Sequence, residues 1–228
     1  MSSLVFPATD VPTLAVAGSE DRVPVRRIFC VGRNYAAHAA EMGDEVDREA
    51  PFYFTKSAHA VIGSGGRMEY PPRTNDLHHE VELVVVIGEG GKDIAEADAL
   101  SHVWGYAVGL DMTRRDLQHE SKEAKRPWDT SKDFDQAAII GPATKGDAGI
   151  TPETRITLTV NGETRQDAPL SELVHPVPAL IADLSRLYTL APGDLIMTGT
   201  PAGVGPVIRG DRLEGRVEGL EPVTTTIV

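Results

Sequence analysis

Glu80 and Glu82 stand at the entrance of the run DLHHEVELVVVIG, from Asp76 to Gly88. From Val81 to Ile87 the segment is almost continuously apolar and β-branched, the composition of a strand covered on both faces. Carboxylates are seldom buried there without a partner. Successive strand side chains alternate faces, so both glutamates point the same way with Cα atoms roughly 7 Å apart, close enough for two arms to converge on one cation. A third acid, Asp111, ends another apolar run, VWGYAVGLDM. Three carboxylates, with no cysteine and no obligatory histidine, make a hard oxygen site suited to Mg²⁺ or Mn²⁺, with Ca²⁺ as a further option. Zinc would more often recruit His or Cys.

Spacing alone leaves an alternative open: Glu80 and Glu82 could form the wet face of an edge strand while Asp111 caps the helix that follows. Val84 and Val86 share the glutamates' face and are apolar, which argues that this face becomes buried within a residue or two. His78 and His79 are adjacent and so point to opposite faces; either could ligate, but a satisfied core or surface histidine is the more usual reading.

These residues need strands to hold them. Short β-like runs recur between turn formers, of which the chain has 22 Gly and 16 Pro. Candidate strands are Arg27 to Val31, Pro51 to Thr55, Val81 to Gly88, Val103 to Asp111, Arg155 to Val160 and Asp194 to Thr198. Helical patterns are fewer: Tyr35 to Gly43, the polar stretch TRRDLQHESKEAK, and PVPALIADLSRLYTL with Leu180, Ile181, Leu184 and Leu187 at helical spacing. Asn161-Gly162 between β-like arms is a strong hairpin signal. No regular βαβ alternation appears, so the fold class expected is α+β and β-rich. The expected organisation is an N-terminal extension over 1–22, a small lobe over 23–73 and a core over 74–228, the last two parted by the Gly- and Pro-rich stretch from Gly63 to Arg73.

The 228 residues suffice for a substantial core, and 41% hydrophobic with 25% charged residues is ordinary for a globular protein. A net charge of -12 argues against nucleic acid, which needs a dense positive surface. The lone Cys30, in RIFCVG, reads as a buried apolar filler in a reducing compartment. The N-terminus lacks a basic n-region and is broken by Pro7 and Pro12, so no signal peptide is expected, and no apolar run of about 18 residues could span a bilayer. A cytoplasmic protein without membrane contact is the expectation.

Four ordered motifs, LHHEVELVVVIG, GYAVGLDMTRRDLQ, RPWDTSKDFD and PGDLIMTGTPAGVGPV, together resemble the fumarylacetoacetate hydrolase superfamily in its acylpyruvase branch. The upstream VPVRRIFCVGRNYAAHAAEMG extends the resemblance from about Val23 to the C-terminus. It implies a mixed β-sandwich roll, usually a homodimer, with Glu80, Glu82 and Asp111 as ligands of a divalent metal. It also matches His38 and Glu41 to the family's His and Glu on a short mobile helix. A spacing of three places these two on one helix face, where the carboxylate can orient the imidazole, although a histidine on an alanine-rich helix is by itself more often structural. Lys132 and Gln118 match the remaining catalytic positions, and Thr200, Lys56 and Arg115 are the expected substrate-binding residues. At Lys56 the chain departs from the pattern, with Ser57 where family members commonly carry proline. GTPAGVG is no phosphate loop, since it lacks the Gly-Lys-Ser/Thr ending, and its glycines are expected to make tight turns near a bound acid.

The implied activity is hydrolysis of a 2,4-dioxo acid, an acylpyruvate such as fumarylpyruvate, with Mg²⁺ or Mn²⁺ as cofactor. Metal-dependent decarboxylation or isomerisation of a related oxo acid, such as oxaloacetate, is the alternative, and a non-catalytic protein stabilised by its metal is a second. His38 and Glu41 favour hydrolysis, because decarboxylation needs no general base for water.

Overall fold

The computed structural model describes residues 4–43 and 45–228. Its centre is a mixed sheet in the order Phe52–Lys56, Arg27–Gly32, Asp194–Met197, Val81–Ile87, Val103–Asp111, Ala138–Ile140, Val61–Gly63. Only two of these pairs are parallel: Asp194–Met197 with Arg27–Gly32, and Ala138–Ile140 with Val61–Gly63. The glutamate-bearing strand is therefore interior, flanked by Asp194–Met197 and Val103–Asp111, and all seven of its residues are buried. That removes the edge-strand alternative.

Strand alternation then builds two cores. Leu83, Val85 and Ile87 face a second sheet, ordered Glu163–Pro169, Arg155–Val160, Arg212–Val217, Val223–Ile227, Gly66–Met68, and meet its Leu158, Leu213 and Val223. Helix Val177–Leu187 closes this layer through Leu180, Ile181 and Leu184, the helical spacing that its sequence carries. On the opposite face, Val84 and Val86 pack with Ile28, Cys30, Leu195 and Met197. The hairpin of Thr13–Ala15 and Arg22–Pro24 covers them with Leu14 and Val23. Cys30 is fully buried there, and burial pushes its thiol well up, so it behaves as the inert filler expected.

All six expected strands form, each within a residue or two of the predicted bounds. Asn161 and Gly162 take φ of 53° and 84° and join Arg155–Val160 to Glu163–Pro169, as a tight hairpin requires. Helices form at Ala36–Glu41 and Arg115–Glu123, and a further short one at Asp129–Lys132 lies in a polar stretch with no periodic signal. A small third sheet, Thr113–Arg114 with Leu77–His79 and Gly205–Val207, sits beside the entrance to the glutamate strand. The result is a β-rich α+β fold of mixed, curled sheets.

Candidate active site

Glu80 precedes the central strand and Glu82 is its second residue, while Asp111 ends the neighbouring strand. Antiparallel register pairs Val81 with Leu110 and Glu82 with Gly109, which brings Asp111 alongside Glu80, and its N–H donates to the Glu80 carbonyl at 2.8 Å. One carboxylate oxygen from each of the three acids lies within 4.8 Å of the others, and all three residues are buried. Asp111 caps no helix: Arg115–Glu123 has no side-chain cap, and the acid in its first turn is Asp116.

The charges are held unevenly. Lys132 reaches in from its short helix and donates to Glu80 Oε2 at 2.7 Å, Asp111 Oδ2 at 2.8 Å and Thr113 Oγ1 at 2.7 Å, so all three ammonium protons are used. Lys56 Nζ lies 2.7 Å from Asp111 Oδ1 and also donates to the carbonyls of Met112 and Lys132. The Arg115 guanidinium joins Glu80 Oε1 and Gln118 Oε1. Burial would raise the Glu80 carboxyl, but Lys132 and Arg115 outweigh it and hold it far below the usual range. For Lys132 burial is likewise outweighed, by Asp111 and Glu80, and the ammonium is stabilised. Glu82 is different. It accepts the Gly199 N–H at 2.7 Å, yet burial and the charges of Asp111 and Glu80 push its carboxyl well up. Three buried oxygen donors with one corner short of positive charge suit a hard divalent cation.

His38 and Glu41 share one face of their helix, with Nδ1 3.4 Å from Oε2. The Glu41 carboxylate also accepts the Gly203 N–H at 3.1 Å, tying this helix to the GTPAGVG turn. Burial lowers the His38 imidazole from its ordinary value, against a smaller opposing pull from Glu80. The turn's glycines therefore present N–H groups to two of the protein's own acids, Glu82 through Gly199 and Glu41 through Gly203. Gly203 has φ of 95°, and a Cβ there would stand 2.0 Å from the Arg165 carbonyl oxygen.

A cavity of about 30 Å³ is walled by His38, Glu80, Glu82, Arg115, Gln118, Lys132 and Thr200 among others. Lys56 stands behind it, holding Asp111 rather than lining the space. His79 is buried and bonded through Nδ1 to Gln166 Oε1 at 3.1 Å, and half-buried His78 lies 2.9 Å from Asp76, so both histidines have the protein partners expected of them.

Sequence reasoning missed several supports. Gln166, fully buried, accepts the Val81 N–H and donates to Thr200 Oγ1 at 2.7 Å, linking the second sheet to the metal strand and the turn. Asn34 donates to the Thr198 and His175 carbonyls and accepts the His175 N–H. A polar residue inside a polar strand such as ETRQDAP carries no sequence signal of facing inward. Thr113 stands inside the motif GYAVGLDMTRRDLQ, but nothing in its spacing sets it apart as a partner of Lys132.

Three buried carboxylates at the end of a mixed sheet, beside a histidine–glutamate pair, define the class: the chain belongs to the fumarylacetoacetate hydrolase family, whose C-terminal model matches residues 27–228. Among its relatives, a fumarylpyruvate hydrolase of Ralstonia is 45% identical over 188 residues, 82% of this chain and 98% of that protein. The mitochondrial oxaloacetate tautomerase of Arabidopsis thaliana is 42% identical over 198 residues, 86% of this chain and 88% of that one. A fumarylpyruvate hydrolase of Pseudomonas aeruginosa, solved in complex with Mn²⁺ and pyruvate, superposes with a TM-score of 0.95 at 46% identity, covering 99% of each chain.

Proposed function

We propose that this protein hydrolyses an acylpyruvate, fumarylpyruvate in the first instance, to a carboxylic acid and pyruvate. The observation that carries the reading is His38, partnered by Glu41, on the wall of the same cavity as Glu80 and Glu82. Similarity to fumarylpyruvate hydrolases over nearly the whole chain supports it. Glu80, Glu82 and Asp111 would hold Mg²⁺ or Mn²⁺, and when bound such an ion supplies Lewis acidity and a docking point for a 2-oxo acid.

Around that point the side chains divide the work. His38, neutral because burial lowers its pKa, takes a proton from water, and Glu41 fixes the ring through Nδ1. The water oxygen bonds to the distal carbonyl carbon. Lys132 supplies fixed positive charge for the resulting oxyanion, and Gln118, its Oε1 occupied by Arg115, has its amide NH₂ to donate. The carbon–carbon bond then breaks, its electron pair passing to the pyruvate fragment, whose carbon is protonated. Thr200 and Arg115 orient the substrate's oxygens. The family resemblance adds a homodimer, which sedimentation checks, and the cytoplasmic expectation drawn from the sequence is checked by cell fractionation.

Purified protein with Mn²⁺ should bleach the ultraviolet band of fumarylpyruvate and release pyruvate in equal amount. His38→Ala should lower kcat by about 10²–10⁴-fold with metal affinity retained. A wild-type rate in that variant would remove His38 from the mechanism. Oxaloacetate tautomerisation is the second reading, favoured by the 42% identical tautomerase. It predicts keto–enol exchange of oxaloacetate faster than any acylpyruvate cleavage.

A further inference from the structure

Two hollows of about 530 and 650 Å³ meet at Arg73, and none of Glu80, Glu82 and Asp111 lines either. The larger is walled by Tyr70, Pro71, Pro72, Arg73 and Arg209 among others, and by no acid. The smaller adds Arg114 and Arg126 against Glu120 and Asp129. Four arginines against two acids reverse the sign of a chain whose net charge is -12.

These arginines are held ready rather than paired off. Among the described residues, neither Arg73 nor Arg209, both exposed, makes a side-chain hydrogen bond or ion pair. Arg73 follows Pro71 and Pro72 with φ of 66°, a left-handed conformation rare outside glycine, and strain of this kind persists where surrounding structure fixes it, often at a site of function. The Arg209 guanidinium stands over Tyr70, 4.7 Å from the ring centre, and that of Arg114 over Phe134 at 4.3 Å. A guanidinium carried on a ring keeps its donors in a fixed fork, the geometry that oxyanions accept.

Arg114 also reaches the catalytic groups. Its Nη1 donates to the Thr130 carbonyl at 3.1 Å, in the helix Asp129–Lys132. Its neighbours in sequence are Thr113, which accepts from Lys132, and Arg115, which donates to Glu80. Its Nε is buried with no hydrogen-bond partner, which folded proteins seldom leave uncompensated. Burial destabilises this guanidinium, Asp116 and Asp135 support it, Arg73 adds like charge, and the balance lowers its pKa.

We propose that this groove is a second, regulatory site for a small anion with two or more charged oxygens, a polycarboxylate or a phosphate-like group, bound by Arg73, Arg114 and Arg209. Drawing Arg114 onto the anion loosens its bond to Thr130 and so shifts the helix that presents Lys132 to Glu80 and Asp111. The proposal goes beyond the acylpyruvate reading and is tested apart from it.

The test titrates the Mn²⁺-loaded protein by calorimetry with sodium sulfate and with propane-1,2,3-tricarboxylate, at an ionic strength held constant with sodium chloride. At least one probe should bind saturably at one site per chain. Tighter sulfate marks a phosphate-like ligand, and tighter tricarboxylate a polycarboxylate. Arg73→Gln/Arg209→Gln, which alters no group at the acids, should weaken that binding at least about 10-fold. Saturable binding of neither probe overturns the site. So does equal binding in the variant, the result expected of an anion resting on the bound metal. Coupling is read separately: by reciprocity, saturating anion should change the Mn²⁺ affinity of wild type at least about 5-fold and leave that of the variant unchanged. No change in wild type overturns the regulatory role, and so does an equal change in both proteins, the mark of an anion that chelates the free ion.

Discussion

Glu82 is the carboxylate least supplied with positive charge, and its behaviour should report on the metal directly. Its carboxyl is pushed up by burial and by Asp111 and Glu80, so a cation entering the site must displace protons that ordinary carboxylates would already have lost. Mn²⁺ affinity should therefore weaken as pH is lowered. Calorimetry in buffers of different ionisation enthalpy should show proton release. Glu82→Gln should cut affinity by about 100-fold and abolish that release, since ligand and proton are lost together. A pH-independent affinity would contradict the assignment. At this scale the acids were legible because strand alternation is strict and an apolar run makes a charge conspicuous. Lys132 was not readable from pattern: DTSKDFD is polar but for Phe134, and its lysine is buried where Glu80 and Asp111 supply countercharge. Gln166 carried no signal, since an inward polar side chain looks the same in sequence as an outward one.

Among elements, the GTPAGVG turn connects most of the machinery, donating to Glu82 from Gly199 and to Glu41 from Gly203, with Thr200 between. Gly203→Ala places a methyl against the Arg165 carbonyl at a backbone angle suited to glycine. It should cost on the order of 1–3 kcal/mol of stability, read by urea denaturation. It should also lower kcat more than metal affinity, because the Glu41 anchor moves while the acid triad stays. Equal loss of both would show that the turn supports the triad alone. The long strands and the amphipathic helix over Val177–Leu187 could be predicted because their periods are regular. Pairs of two or three residues, such as Thr113–Arg114 and Leu77–His79, are too short for any period. Neighbours across the sheet, not local sequence, make them strands.

For the molecule as a whole, the buried imidazole of His79 sets an acid limit. Burial lowers it from an ordinary 6.5 to about 4, despite a Gln166 hydrogen bond that favours its charged form. Between these values the unfolded chain binds a proton that the folded one refuses, so stability present above pH 6.5 is lost as pH falls toward 4. The loss from this one group is about 3 kcal/mol. Urea midpoints at pH 7, 5.5 and 4.5 should decline in order, and His79→Gln should flatten the slope. The sheet order has a further consequence, for the time at which the site comes into being. Asp194–Met197 occupies the middle of the sheet between Arg27–Gly32 and Val81–Ile87, yet it is made more than a hundred residues after them. The early strands cannot close into a finished sheet, and such distant pairings carry high contact order, which slows folding. On the ribosome the two glutamates emerge long before the strand and turn that secure them, so competence for chemistry is among the last properties the growing chain acquires.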